Sequence, residues 1–224
     1  MEWYYILVIV LGILGIIVLI FYWYFKSNLT PTQTGILSEN IVCIKNSIVN
    51  VYIYSKGSDR LVIDAGFSAK ALKKELIKME IVPEEITEVF LTHTDPDHIG
   101  GLSIFSNAKV YVGEDSRVKN EGNFVFLSDN DIILVGEIKV QAISSPGHRL
   151  GHICYLIDDK NLFTGDLLRI KAGEIRPFFK RISIDPVELN ESIKKIAQLK
   201  NVKMLLTAHT GYTTEFDKLI EKWK

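Results

Sequence analysis

From Trp3 to Phe25 the chain runs for 23 consecutive residues without a charge, interrupted only by Gly12 and Gly15. As a helix rising about 1.5 Å per residue, this run matches the roughly 30 Å hydrocarbon layer of a bilayer. Trp3-Tyr4-Tyr5 and Phe21-Tyr22-Trp23-Tyr24-Phe25 flank it with amphipathic rings that favour the headgroup layer. The run exceeds the ~7–15-residue apolar core of a cleavable signal and lacks a basic leader and a small-x-small cleavage site, so a retained anchor is expected. Lys26 is the one basic flank, which by the positive-inside rule places the following domain on the cytoplasmic face. The expected organisation is a transmembrane anchor over residues 1–26, meeting lipid through 3–25, then a polar linker over 27–39 and one domain over 40–224.

Charge narrows the function. The 26 Lys and Arg residues balance 27 Asp and Glu, for a net −1, so nothing global favours nucleic acid. Cys43 and Cys154 each lie in an apolar run and read as small core residues. Short runs rich in Ile, Val and Tyr predict strands at 41–45, 48–54, 61–63, 89–91, 110–112, 124–126, 132–135, 138–143, 153–157, 162–163 and 202–206. Helical spacing predicts helices from the N-cap Ser68 to Met79, over 186–199 and over 214–222, with residues 167–185 as a loop. Such a pattern points to an α/β domain layered helix on sheet on sheet on helix.

Chemistry enters with the five histidines, His93, His98, His148, His152 and His209, each in a loop beside an apolar strand. In Leu91-Thr92-His93-Thr94-Asp95-Pro96-Asp97-His98-Ile99-Gly100-Gly101, four nitrogen or oxygen donors occupy six positions. Residues two apart in an extended segment share a side, so His93 and Asp95 can reach one ion, and Asp97 and His98 a second after the chain turns. Imidazole and carboxylate suit zinc, iron or manganese.

The ordered series HTDPDHIGG, SSPGHRLGH (144–152), LFTGDLL (162–168) and LLTAHTG (205–211) resembles the motif series of the metallo-beta-lactamase superfamily of metal-dependent hydrolases. The opening strands resemble that family too. The resemblance implies a four-layer αββα sandwich holding two divalent metal ions, with zinc expected. By the same resemblance His93, Asp95 and His148 hold one ion, Asp97, His98 and His209 the other, and Asp166 bridges them. His152 falls at a position that orients ligands by hydrogen bonding. Asp95 stands where most members carry a second histidine, resembling the hydrolase domain of DNA-uptake competence proteins. An added carboxylate makes the first site harder and more negative, which keeps iron or manganese open beside the expected zinc.

The implied reaction is attack by a metal-activated water on an ester, thioester, lactone or phosphodiester bond, with Asp166 and Asp97 as the catalytic carboxylates. The second reading is an iron-dependent redox enzyme similar to persulfide dioxygenases, or a metal-binding protein with little turnover. The PGH at 146–148 resembles the glyoxalase II and lactonase branch. The chain ends at Lys224, before the C-terminal helical domain of glyoxalase II, so that activity is not expected. β-Lactamase activity is not expected either, since Asp166 occupies the position of a cysteine in many antibiotic-hydrolysing members. Arg169, Lys171, Arg176, Lys180 and Arg181, beside Phe178 and Phe179, are expected to form a basic, aromatic lip for a small-molecule, anionic substrate.

Overall fold

A computed structural model describes residues 2–118 and 123–224. The chain divides into two compact units, one ending at Thr30 and the other running from Pro31 to Lys224. The first is helix α1 (Glu2–Asn28), of which Trp3–Tyr24 is long and apolar enough to cross a membrane.

The second unit is built on two sheets. Strands β1 (Gly35–Ser38), β2 (Ile41–Asn46), β3 (Val49–Lys56), β4 (Asp59–Ile63), β5 (Glu88–Phe90), β6 (Lys109–Gly113) and β7 (Phe124–Leu127) form the first in sequence order. It is antiparallel up to β4 and parallel beyond. Helix α2 (Ala69–Lys78) connects β4 to β5, and a single helical turn, α3 (Pro96–Ile99), follows β5. The second sheet contains β8 (Ile132–Val135), β9 (Ile138–Ser144), β10 (Ile153–Ile157), β11 (Asn161–Phe163), β14 (Met204–Thr207) and β15 (Gly211–Thr213), in the order β15-β14-β11-β10-β9-β8. A separate hairpin, β12 (Leu168–Lys171) with β13 (Glu174–Pro177), follows β11, and helices α4 (Pro186–Ala197) and α5 (Phe216–Ile220) complete the unit.

Period-two alternation sorts the apolar residues into three cores. Tyr52 and Tyr54 of β3 meet Tyr155, Ile157 and Phe163 in a core between the sheets. Val51 and Ile53 turn the other way onto Leu72 and Leu76 of α2. Cys154 and Leu156 turn outward onto Leu189, Ile193 and Ile196 of α4 and Phe216 of α5. Strands covered on both faces read as unbroken apolar runs, which is why 41–45, 49–54 and 153–157 show in the sequence. The result is the expected αββα sandwich. Both cysteines are free and buried within it.

Three segments differ from expectation. Residues 27–39 are not all linker: α1 continues to Asn28, and Gly35–Ser38 pairs with β2. The stretch after Asp166 is not a plain loop but a hairpin, turned by Ala172 and Gly173, both at positive φ as a type I′ turn requires. The final helix is shorter than 214–222, because 211–213 pairs with β14 and helical structure begins only at Phe216.

Helix α4 starts where the sequence places it: Asp185 caps the backbone N–H groups of Val187 and Glu188 at 2.8 and 3.0 Å, and Pro186 fills the first helical position. The Asp185 N–H in turn donates to the Gly147 carbonyl at 2.8 Å, fastening α4 to the loop that carries His148. Asp185→Ala is expected to destabilise the fold by about 1 kcal/mol, lowering Tm by about 2–4 °C in thermal unfolding of the full chain.

Candidate metal centre

The motif residues lie in loops at one rim of the sandwich. His93 and α3 follow β5, His148 follows β9, Asp166 follows β11 and His209 follows β14, while His152 immediately precedes β10. Glycine permits the close approaches this crowding needs. A Cβ on Gly101 would stand 2.1 Å from the Ala65 carbonyl, and Gly147, at φ +121°, lies against the backbone of Leu189.

The four loops bring seven side chains together. His93, His148 and Asp166 form one group able to hold an ion, and Asp97, His98 and His209 form another. Asp166 faces both. Its Oδ2 lies 3.4 Å from His148 Nε2 and 3.9 Å from His93 Nε2, and its Oδ1 lies 3.1 Å from His209 Nε2 and 3.6 Å from His98 Nε2. Asp97 Oδ2 is 3.4 Å from His209 Nε2. Asp95 Oδ2 is 3.7 Å from His93 Nε2 and 3.6 Å from His148 Nε2, on the side of the first group. Ligands about 2.1 Å from a tetrahedral ion stand about 3.4 Å from one another, the scale of these separations.

Each of the four histidines is held from behind. His98 Nδ1 meets Asp64 Oδ2 at 2.9 Å, and His209 Nδ1 meets the Ile48 carbonyl at 2.6 Å. His93 Nδ1 lies 3.1 Å from Thr92 Oγ1, and His148 Nδ1 lies 3.3 Å from Ser183 Oγ. With Nδ1 engaged, Nε2 points into the cluster. The Nε2 atoms of His93, His98 and His148 and Oδ1 of Asp166 are buried without a hydrogen-bond partner. A protein core rarely tolerates so many orphans in one place, and two divalent cations, one in each group, would satisfy them, so the residues fit a two-ion centre.

Electrostatics agree. Burial and the neighbouring His98 push His93 down to about 4. Burial also opposes the charged form of His98, but Asp64 and Asp166 outweigh it and that imidazole rises to about 10. Burial would raise Asp166, yet His209 and His98 hold it well below the usual carboxylate range. Asp95 is held low too, because the neighbouring His148 and His93 imidazoles and the Arg149 guanidinium overcome its burial.

Two residues that sequence reasoning missed support the cluster. Asp64, buried and at φ +61°, accepts from the Thr92 N–H at 2.8 Å as well as orienting His98. Its signal was an acidic residue closing the apolar strand Leu61-Val62-Ile63. Arg149 binds Asp95 through both carboxylate oxygens, Nε to Oδ1 at 2.8 Å and Nη2 to Oδ2 at 2.6 Å. Asp95 therefore does not make the first group more negative, as the sequence alone suggested, because its charge is offset on the spot.

His152 packs beside the cluster, its ring 5.3 Å from that of His93, without bonding to it. Its Nδ1 meets Ser145 Oγ at 2.9 Å, its Nε2 is buried without a partner, and it makes no hydrogen bond to the other histidines or to Asp95, Asp97 or Asp166. The expected lip is only partly assembled. Phe178 and Phe179 are buried, and Phe178 walls the cluster, stacked on His209 and edge-on to His148 at 5.3 and 5.2 Å. Arg169 lies over the Phe179 ring, Arg176 pairs with Glu174, and Lys171 sits at the hairpin turn. Lys180 and Arg181 are exposed beside Ile182, whose carbonyl accepts from Arg149.

Residues 44–209 match the metallo-beta-lactamase superfamily. The chain belongs to that superfamily. Among its relatives is a hydroxyacylglutathione hydrolase of Salmonella arizonae, 31% identical over 165 residues, covering 70% of this chain and 61% of that protein. An atrochrysone carboxyl ACP thioesterase of Pseudocercospora fijiensis is 29% identical over 148 residues, covering 62% of this chain and 43% of the relative. The matches thus span about half of these relatives' length. An archaeal metallo-beta-lactamase superfamily protein from Sulfolobus tokodaii shares the fold, with a TM-score of 0.65 at 22% identity over 83% of this chain and 84% of that one.

A bound cation must displace a proton from His98, because its raised pKa keeps the imidazole protonated at neutral pH. Metal binding is therefore expected to release protons at pH 7 and to tighten as the pH rises from neutrality toward about 10. Calorimetry in buffers of different ionisation enthalpy reads this directly, and zero proton release would show that His98 is already neutral before the cation binds.

Proposed function

We propose that this chain is a membrane-anchored, metal-dependent hydrolase that cleaves a thioester with water. The observation that carries the reading is the convergence of four imidazole Nε2 atoms on the two oxygens of Asp166, three of them buried without another partner. In this reading His93, Asp95 and His148 hold one divalent ion, Asp97, His98 and His209 the other, and Asp166 bridges them, with zinc the expected metal. Such ions supply a hydroxide at neutral pH and polarise the carbonyl under attack.

The chain's own residues do the rest. Asp97 is the more open of the catalytic carboxylates, its side chain 22% exposed against 5% for Asp166, so it faces the approach to the cluster. It orients the attacking water, accepts its proton and returns that proton to the departing thiolate. Phe178 excludes bulk water from the His148 and His209 side. Lys180 and Arg181 form the basic part of the lip and attract an anionic thiol carrier, while Arg169 and Arg176 stiffen the hairpin. Thioester is preferred among the bonds such a site hydrolyses because the relatives named above are a hydroxyacylglutathione hydrolase and an ACP thioesterase. The apolar helix anchors residues 1–26 in the bilayer, and Lys26 places the catalytic domain on the cytoplasmic side.

The test is hydrolysis of acyl-glutathione, acyl-coenzyme A, lactone and phosphodiester substrates by the detergent-purified full chain. Thioester turnover is expected, abolished by a chelator, restored by zinc, and lowered about 100-fold or more in Asp166→Asn. Turnover unaffected by chelator or by that substitution would overturn the reading.

A further inference from the structure

Arg149 is fully engaged. Besides the two bonds to Asp95, its Nη1 donates to the carbonyls of His148 and Ile182, both at 2.7 Å. It is thus a fixed charge beside the first ligand group, at the end of the same loop that carries His148. The second group has no counterpart: among the described residues Asp97 pairs only with His98 and His209, and no lysine or arginine reaches it. A further carboxylate, Asp64, stands behind His98.

The two groups therefore differ in charge although they look alike in shape. With every imidazole neutral, as metal ligation requires, His93, His148 and the Asp95–Arg149 pair sum to zero, whereas Asp97, His98 and His209 carry one negative charge that no lysine or arginine offsets. Asp166 is common to both. A divalent cation in the first group would also feel the Arg149 guanidinium across Asp95, a partly buried pair whose side chains are 29% and 25% exposed.

We propose that Arg149 is a positioning and charge-setting residue that makes the His93–Asp95–His148 site the weaker of two unequal metal sites, filled second and exchanged more readily. This rests on the two-ion reading above. By holding Asp95 in a two-pronged grip, Arg149 turns a carboxylate ligand into one that is electrically as neutral as an imidazole, which keeps the ion beside it a stronger Lewis acid.

The test is stepwise zinc binding to the full chain in detergent, with native mass spectrometry for stoichiometry and chelator competition for the two constants. The wild type is expected to show two constants at least about tenfold apart. Arg149→Gln should tighten the weaker one by about 10–100-fold and leave the tighter one unchanged, since the repelling charge is gone and Asp95 is released to the ion. Arg149→Lys, which keeps the charge but not the fork, should stay within about threefold of the wild type. Asp95→Asn should loosen the weaker site, and adding Arg149→Gln to it should restore part of the loss; this pair keeps the test open if Arg149→Gln alone fails to fold. Two ions in the wild type with an unchanged or weakened constant in Arg149→Gln would overturn the role of Arg149 while the two-ion reading stands. A wild type that binds no zinc would overturn both.

Discussion

Everything at the rim of this sandwich depends on one carboxylate, Asp166, held with its two oxygens facing different pairs of imidazoles. Without a cation the arrangement is costly. Each buried polar atom left without a partner forfeits about 1–3 kcal/mol, and the cluster contains several such atoms side by side. A fold retains such a concentration of unsatisfied lone pairs only where something outside the protein completes it. The partners behind the histidines are consistent with that: Asp64, Thr92, Ser183 and the Ile48 carbonyl engage the Nδ1 atoms and leave the Nε2 atoms for the cluster.

The sandwich supplies the rigidity this demands. The loops that carry the ligand residues leave strands that are buried on both faces, so small displacements at the rim are resisted by three packed cores. Helix α4 is tied to the same rim through its cap, since Asp185 links Gly147 to the first turn of the helix. Hairpin β12–β13 closes the remaining side, with the Ile170 N–H donating to Thr210 Oγ1 at 2.7 Å and Phe178 laid against His209.

Much of this was legible in the sequence because the signals are local. Unbroken apolar runs mark strands sandwiched between layers, Ser68 and Pro186 mark helix starts, and six of the seven candidate ligands fall into two groups of three, His93, His148 and Asp166 in one and Asp97, His98 and His209 in the other, with Asp95 beside the first. What was not legible depends on contacts distant in sequence. Arg149 meets Asp95 across 54 positions and Asp64 meets His98 across 34, so neither pairing leaves a trace in spacing. The placement of Phe178 and Phe179 was hidden for the same reason: both look available in the sequence, but in the fold they turn inward. Strand β1 was read as linker because four residues at a sheet edge carry too short an alternation to stand out from their polar surroundings.

The account stands or falls on whether these residues hold metal. The direct measurement is elemental mass spectrometry on the full-length chain, purified in detergent without chelator or metal-affinity steps. About two divalent ions per chain, chiefly zinc, is the expected result. A chain that remains folded yet carries no metal, and takes up none when zinc is supplied, would contradict it.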